Sequence, residues 1–314
     1  MRNILNDLGR ERKAFVFLID YEMQKPLYWL LDDPQQDFIF DFNGFSNTRL
    51  FPEKPAAWTF QKNPMQLDAY APMFQRVKHH LGYGDSFLVN LTCKTNIKTN
   101  LSLQEIYHAV RSKYKCTLKD SFVCFSPETF IRIEDKKIQS FPMKGTIDAN
   151  IPGAKEIILN DKKEAAEHAT IVDLIRSDLS RVAKNVHVSR FRYYEEIQTH
   201  QKKLGQVSSE ITGTLEDGFQ DRIGDIIFDL LPAGSICGAP KPKTLEIIQQ
   251  IEQAERGYYT GIAGFFDGEK LDSCVLIRYI DQDGIYRSGG GITSQSEMEK
   301  EYTEMIEKVY VPIY

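Results

Sequence analysis

The chain has 314 residues, of which 42% are hydrophobic and 26% are charged, and its net charge at pH 7 is −5. These values are typical of a globular protein of one or two domains, and the acidic balance argues against nucleic-acid binding. No stretch approaches the ~20 apolar residues of a membrane-spanning helix, and the N-terminal residues lack the apolar core of a secretory signal. The five cysteines contain no CxxC pair, so they indicate a reducing compartment and no zinc site. We therefore predict a cytoplasmic protein that binds neither membrane nor nucleic acid.

The first eighty residues alternate between short apolar runs and polar turns. Strands are predicted at 14–19, 28–31 and 38–42. Residues 52–66 contain three prolines and are expected to form a loop. A helix is expected over 67–81, with an interruption at Pro72.

The middle of the chain combines strands with two clear helices. Residues 86–97 alternate as a strand, and a helix over 101–114 begins with a capping box of Ser102 and Glu105. Two consecutive strands are predicted over 120–141. A long amphipathic helix over 161–184, capped by Asp161, follows them.

The C-terminal part is expected to end in a sheet and a helix. The predicted elements are a strand-rich segment at 186–215, a helix–glycine loop–helix segment at 225–253, three strands between 259 and 290, and a helix from Ser296 to about 311. Strand runs joined by Asp-Gly turns are typical of hairpins. The chain as a whole therefore favours an α+β fold, in which large antiparallel sheets form a sandwich-like core with helices on the outside.

Two pairs of glutamates have the same spacing of three residues. Glu164 and Glu167 are predicted to share one face of a helix, and Glu301 and Glu304 repeat the arrangement in the last helix. Each pair alone is typical of a solvated helix face. Brought together, the four carboxylates would repel one another unless a hard cation such as Mg²⁺ lay between them. The spacing leaves both interpretations open.

Several segments could receive an anionic small molecule. Three glycines at 289–291 lead from a strand towards a helix, and 234–243 is a second glycine turn; each could present backbone N–H groups to an anion or be a plain turn. Arg278, in an apolar strand, requires either a carboxylate partner or an anionic ligand. Tyr259 is a further candidate for contact with such a ligand, although a tyrosine in this kind of segment is more often part of the hydrophobic core.

Five ordered segments resemble motifs of the chorismate-utilising enzymes. They are PMKGT (142–146), EHATIVDLIRSDLSRVA (167–183), GSICGAPKPKTLEII (234–248), RGYYTGIAGFFDG (256–268) and GGGITSQSEMEKEY (289–302). Members that make anthranilate or isochorismate mostly carry another residue where this chain has Lys144. Component I of aminodeoxychorismate synthase, which makes 4-amino-4-deoxychorismate for p-aminobenzoate and folate synthesis, carries lysine. The chain resembles that branch of the family.

The resemblance implies a covalent mechanism. Lys144 would attack C2 of chorismate and expel the C4 hydroxyl, Glu128 would protonate that hydroxyl, and Asn90 would favour ammonia over water as the second nucleophile. Thr146 would help to position the ring. We expect burial to lower the pKa of Lys144 and an ionised Glu128 nearby to oppose that change, and the transfer of one proton from the ammonium group to Glu128 would leave a neutral nucleophile and a neutral acid.

The resemblance also implies how substrate and metal are held. Glu167 and Glu304 would bind Mg²⁺, with Glu164 and Glu301 ordering water in or near its coordination shell. The expected substrate contacts are Gly289, Gly290, Gly291 and Lys308 for the ring carboxylate, Arg278 and Tyr259 for the enolpyruvyl carboxylate, and Gly238 and Ala239 in the GAP segment.

The chain departs from the family pattern in two places. It is shorter before Lys144, so we expect residues 1–80 to form a reduced N-terminal sheet edge and linker, and residues 81–314 to form the chorismate-binding catalytic domain without tryptophan feedback. A homodimer could cover the exposed edge. The usual histidine before the 207–213 strand is replaced by Gln206, and the sequence leaves open whether His200 takes its role.

The resemblance implies chorismate as substrate and ammonia supplied by a separate glutamine amidotransferase. Two alternatives remain open at this stage. One is a related chorismate enzyme of the anthranilate or isochorismate type, and the other is a catalytically inactive chorismate-binding protein.

Overall fold

The structure is a computed structural model and describes residues 1–33, 37–48, 55, 57–198 and 203–313. Its helices are α1 (Arg2–Arg10), α2 (Leu67–Tyr83), α3 (Leu103–Ala109), α4 (Ala154–Asn160), α5 (Lys162–Leu179), α6 (Ile223–Asp229), α7 (Lys241–Glu252) and α8 (Met298–Glu307). Its strands are β1 (Phe15–Ile19), β2 (Leu27–Leu30), β3 (Phe38–Phe42), β4 (Phe45–Ser46), β5 (Phe60–Pro64), β6 (Leu88–Thr99), β7 (Tyr114–Leu118), β8 (Phe122–Ser126), β9 (Thr129–Glu134), β10 (Lys137–Ser140), β11 (Met143–Asp148), β12 (Lys184–Gln198), β13 (Lys203–Thr214), β14 (Gly238–Ala239), β15 (Ile262–Phe266), β16 (Leu271–Val275), β17 (Tyr279–Asp281) and β18 (Ile285–Thr293).

The described strands form two antiparallel sheets. Sheet A has the order β11-β13-β10-β9-β16-β15-β1-β2, with β12 also paired to β13, and sheet B has the order β14-β6-β18-β17-β8-β7-β3-β4, with β5 also paired to β6. Hydrophobic side chains from β1, β15 and β16 of sheet A pack against those from β3, β7 and β8 of sheet B. The predicted α+β class, with large antiparallel sheets in a sandwich-like arrangement, is confirmed.

Strand β1 shows why the sandwich is stable. Its side chains alternate between two cores: Phe15 and Phe17 pack with residues from several helices, whereas Val16 and Leu18 face sheet B. All four are fully buried, so neither face of this strand meets water. An apolar run without polar alternation is what a strand buried on both faces requires.

Most predicted elements are present, and several predictions are wrong. The segment 60–64 is strand β5, paired with β6, although 52–66 was expected to be a loop. Helix α2 continues through Pro72, its sixth residue, at the cost of the hydrogen bond that an N–H there would make to the Asp68 carbonyl. The helix after Ser102 has the predicted capping box but ends at Ala109, because residues 114–118 pair with β3 and β8.

The last helix begins later than predicted. Its N-cap is Glu297, and the Ser296 hydroxyl instead accepts a hydrogen bond from the Thr293 backbone N–H. No described helix has the length and apolar character needed to cross a membrane. The division of the chain near residue 80 and the homodimer stay predictions, although β1 lies inside sheet A and not at its edge.

Candidate active site

Lys144 lies on β11, at a bulge where the pairing with β13 shifts by one residue. Lys144 pairs with Val207 and Thr146 with Gln206, so Gly145 is the extra residue. Gly145 has a φ of +76°, in the left-handed region that glycine tolerates. The bulge sets Gly145 close against α5, since a methyl group at this position would lie 3.0 Å from Oε2 of Glu164.

The ammonium group of Lys144 forms an ion pair with Glu167 of α5. Nζ donates to Oε2 of Glu167 at 2.6 Å, and 24% of the lysine side chain is accessible against 7% for the glutamate. Burial alone would lower the pKa of Lys144, but the charge and hydrogen bond of Glu167, aided by Glu164 and Glu304, outweigh burial and raise it. Burial thus acts in the expected direction, but the net pKa of Lys144 is raised because carboxylates surround it. The carboxylate beside the lysine is Glu167 and not Glu128.

The other glutamates of the two predicted pairs converge on the same region. Burial raises the pKa of Glu164, and the negative charges of Glu167 and Glu304 raise it further against the opposing effect of Lys144. From α8, Glu304 forms an ion pair with Lys308 at 2.7 Å, and Glu301 is buried. These pairs are therefore not independent solvated faces.

The donor set suits a hard cation, although no three of the described histidine, cysteine, aspartate and glutamate side chains already lie together as a metal site. Carboxylate oxygens are the ligands that Mg²⁺ prefers in proteins. Burial, together with the negative charges of Glu167 and Glu304, raises the pKa of Glu164, and a bound cation would offset both effects. The Mg²⁺ site stays a prediction.

The three glycines form part of β18, directly opposite β6. Gly291 pairs with Asn90 and Gly289 with Thr92, which places Asn90 beside the glycine segment. Lys308 donates to the backbone oxygen of Gly289 at 2.9 Å. A methyl group at Gly290 would lie 3.6 Å from Oε2 of Glu301 and 3.7 Å from Nζ of Lys308. The segment 289–291, which we call the glycine strand, thus lies next to the carboxylate of Glu301 and the ammonium group of Lys308.

Glu128 lies just before β9 and is held by a residue that the sequence analysis did not single out. The Ser235 hydroxyl donates a short hydrogen bond to Oε1 of Glu128. Burial raises the pKa of Glu128, while the Ser235 hydrogen bond and the charges of Arg278 and Lys308 oppose that rise. A half-buried carboxyl group with a raised pKa is suited to act as a proton donor.

Arg278 is not inside a strand, which corrects the sequence-based expectation. It lies in the connection between β16 of sheet A and β17 of sheet B, with a φ of +57°. Among the described residues it has no carboxylate partner, its guanidinium lies 5.4 Å from the Tyr310 ring centre, and its buried Nε has no hydrogen-bond partner. The internal salt bridge considered for this arginine is therefore absent from the described part of the chain.

Tyr259 and the GAP segment have clear structural roles. Tyr259 is buried in the core between the sheets, 3% exposed. Gly238 and Ala239 form β14 and pair with Val89 and Leu88 of β6. A methyl group at Gly238 would lie 1.9 Å from the Leu88 oxygen, so glycine is required there by the backbone. Their contact with substrate stays a prediction.

The remaining predicted positions lie on β11 and β13. The backbone of Thr146 pairs opposite Gln206. Gln206 is buried and donates to the Ser208 hydroxyl at 3.0 Å, whereas His200 lies outside the described residues. Gln206 therefore lies on the strand next to Lys144, beside Val207, the residue that pairs with the lysine. Whether His200 takes the role of the usual histidine stays open.

A second residue missed by the sequence analysis is Arg256, the first residue of the RGYYTG segment. It is 2% exposed and forms a bidentate ion pair with Glu252, at 2.7 and 2.9 Å. It also donates to the backbone oxygens of Asn90 and Ile236. A buried arginine joining β6 to the segment that carries Ser235 holds two parts of the site together. In the sequence, Arg256 is marked only by its position in the RGYYTGIAGFFDG motif.

Comparisons with known proteins agree with this arrangement. The family described as chorismate binding enzyme matches residues 16–313. A Haemophilus influenzae protein named "Uncharacterized PabA-like protein" is 49% identical over 312 residues, covering 98% of this chain and 95% of its own. Aminodeoxychorismate synthase component 1 of Bacillus subtilis is 30% identical over 299 residues, covering 89% of this chain and 62% of its own. Anthranilate synthase component 1 1 of Haloarcula marismortui is 32% identical over 260 residues, covering 77% and 52%.

Solved structures share the fold at low sequence identity. MenF, the menaquinone-specific isochorismate synthase of Escherichia coli, has a TM-score of 0.73 at 16% identity, covering 97% of this chain and 79% of its own. A putative isochorismate synthase, DhbC of Bacillus anthracis, has a TM-score of 0.71 at 19% identity, covering 98% and 85%. With the family match over nearly its whole length, this chain belongs to the chorismate-binding enzymes.

Proposed function

We propose that this chain is an aminodeoxychorismate synthase component I, which converts chorismate and ammonia to 4-amino-4-deoxychorismate through a covalent adduct on Lys144. The observation that carries the proposal is the placement of Lys144, whose Nζ lies 2.6 Å from Glu167 on the helix that also carries Glu164. A primary amine in a carboxylate-lined site can act as a nucleophile once it has lost a proton. The 30% identity to the Bacillus subtilis synthase supports the same activity.

The residues divide the chemistry between them. Oε2 of Glu167 is in hydrogen-bond contact with the Lys144 ammonium, so this oxygen can accept the proton that leaves before Nζ attacks C2, and Oε1 would be the oxygen offered to the cation. Glu128, with its raised pKa, donates a proton to the departing C4 hydroxyl, which leaves as water. Ammonia then forms the C4–N bond, and the bond between C2 and Nζ breaks to release the lysine. Asn90, opposite Gly291, borders this region.

The anionic groups of chorismate require positive partners. Lys308 and the glycine strand would hold the ring carboxylate, and Arg278, whose buried Nε lacks a partner among the described residues, would hold the enolpyruvyl carboxylate. Glu167 and Glu304 would bind Mg²⁺, with Glu164 and Glu301 near its coordination shell. When bound, the cation would offset the charge of the ring carboxylate among these glutamates.

Ammonia would come from a separate glutamine amidotransferase. We also propose a cytoplasmic location, because all five cysteines are free and buried, as expected under reducing conditions. An anthranilate-forming activity is the second candidate, favoured by the 32% identity to the Haloarcula marismortui synthase. Lys144 is the position that separates the two.

The test combines product identity with adduct detection. Purified protein with chorismate, Mg²⁺ and an ammonium salt, coupled to the lyase that releases p-aminobenzoate, is expected to yield p-aminobenzoate and no anthranilate. Intact-protein mass spectrometry without ammonium is expected to show a substrate-sized adduct. Lys144→Ala should abolish both. Lys144→Arg, which keeps the positive charge beside Glu167 but cannot form the adduct, is the matched control. A near wild-type rate in either variant would refute the covalent role.

A further inference from the structure

A small cavity lies behind Glu128, and the proposed reaction has so far given it no role. It is bounded by β9 and β10 of sheet A, by α5, and by the segment that leads into the turn at Gly234–Ile236, and its volume is about 30 Å³. Glu128 and Ser235 line one part of it, and Asp178 of α5 lines another. Between these groups the lining is mostly apolar, with Ile131, Ile175, Leu179, Leu230, Ala233 and Val275, although Thr129 and Ser140 also contribute to it. We call it the α5 cavity.

We propose that the α5 cavity admits ammonia to the reacting centre at Glu128. The inference rests on the proposed function, because only an aminating enzyme needs a neutral nitrogen nucleophile at this place. Ammonia would then enter beside α5. This entry is separate from Lys308 and the glycine strand, which are proposed to bind the ring carboxylate of chorismate.

The size of the cavity selects its occupant. A water molecule takes up about 30 Å³ of liquid volume, and a cavity needs only ~10–15 Å³ of probe-filled space to hold one. Ammonia has nearly the same size as water. The cavity can therefore hold one such molecule, whereas chorismate, with its ring and two carboxylates, is far too large for it.

The polarity of the walls selects neutral ammonia over ammonium. Because most of the lining side chains are apolar, an ammonium ion would lose much of its hydration in the cavity, whereas a small neutral amine loses much less. The far end is polar: Asp178 forms an ion pair with Lys241 at 2.7 Å, and Lys241 also donates to the backbone oxygen of Leu230 at 3.2 Å. The side chains of this pair are 14% and 11% exposed, so this end lies close to the surface. An ammonium ion would leave its proton with solvent there.

The other end of the cavity provides the proton acceptor that amination needs. After Glu128 has protonated the departing hydroxyl, its carboxylate is free to accept a proton. The nitrogen lone pair of ammonia forms the C4–N bond, both conjugated double bonds of the ring shift by one position, and the C2–Nζ bond breaks with its electron pair going to Lys144. One proton then passes from the new C4 ammonium group to Glu128, which restores its acid form. The Ser235 hydrogen bond keeps Oε1 of Glu128 at the cavity wall.

Two substitutions that narrow the cavity test the proposal. Ala233→Val places two extra methyl groups against a cavity of about 30 Å³, and Ile175→Phe narrows it from the α5 side. With ammonium chloride as nitrogen source, each is expected to raise the KM for ammonium at least tenfold. The KM for chorismate should stay within twofold, and the Lys144 adduct should still form. Ala109→Val, which adds the same two methyl groups to a buried position of α3, is the matched control.

A substitution that enlarges the cavity gives an independent readout. Leu230→Ala is expected to accept methylamine as nucleophile, which the native protein should reject on size. Unchanged ammonium KM values in folded Ala233→Val and Ile175→Phe would overturn the proposal. If neither Ala233→Val nor Ile175→Phe folds, turnover of methylamine by Leu230→Ala supports the ammonia path, and the lack of such turnover overturns it. A native protein that forms neither adduct nor aminated product would instead overturn the proposed function itself.

Discussion

Substitution by alanine is expected to affect stability at Gly289 and substrate binding at Gly290, two adjacent glycines of β18. A methyl group at Gly289 would lie 2.4 Å from the Leu91 oxygen and 2.9 Å from Cα of Thr92. Both are backbone atoms of β6, so the methyl can be accommodated only if the strands separate. We expect Gly289→Ala to lower the free energy of unfolding by about 1–3 kcal/mol, the usual cost of overpacking.

At Gly290 the same methyl group meets no backbone. Its nearest neighbours would be Oε2 of Glu301 at 3.6 Å and Nζ of Lys308 at 3.7 Å, which are ordinary contact distances. Stability should therefore change by less than about 0.5 kcal/mol. The methyl would stand where the ring carboxylate is proposed to bind, so we expect Gly290→Ala to raise the KM for chorismate about tenfold, or about 1.4 kcal/mol.

Urea denaturation and initial rates at varied chorismate concentration separate the two effects. A stable Gly290→Ala with an unchanged chorismate KM would show that the ring carboxylate does not bind at the glycine strand. A Gly289→Ala as stable as the native protein would contradict the close pairing of β6 and β18.

Two further substitutions test the residues that the sequence analysis missed. Ser235→Ala removes a hydrogen bond that opposes the raised pKa of Glu128, so that pKa should rise further. Because a general acid loses activity as pH rises through its pKa, the basic limb of the kcat/KM profile should move to higher pH, whereas Ser235→Thr should leave it in place; a shift to lower pH would refute the assignment. Arg256→Ala leaves the Glu252 carboxylate buried without its ion-pair partner, so urea denaturation should show a loss of about 3–5 kcal/mol. A loss below ~1 kcal/mol, typical of exposed pairs, would contradict the burial of this pair.

The local pattern of the sequence was enough to predict most elements and the family. Apolar runs predicted β1 and β3, and the Ser102 capping box predicted the start of α3. The ordered motifs indicated the family, and the resemblance to it assigned roles to Lys144 and the four glutamates. These signals succeed because they depend on residues that are near one another in the chain.

What the sequence could not provide are the distances across the sandwich. Arg278 read as part of a strand because its neighbours are apolar, but the chain crosses from sheet A to sheet B there, and an apolar run does not reveal a crossover. The partner of Lys144 is Glu167, and the hydrogen-bond partner of Glu128 is Ser235, more than a hundred residues further along the chain. Sequence alone determined which chemical groups this protein has and the family it belongs to. The packing of α5 against sheet A and the pairing of the glycine strand within sheet B decided which charges meet, because the pKa of a buried group depends on neighbours that only the tertiary fold brings near.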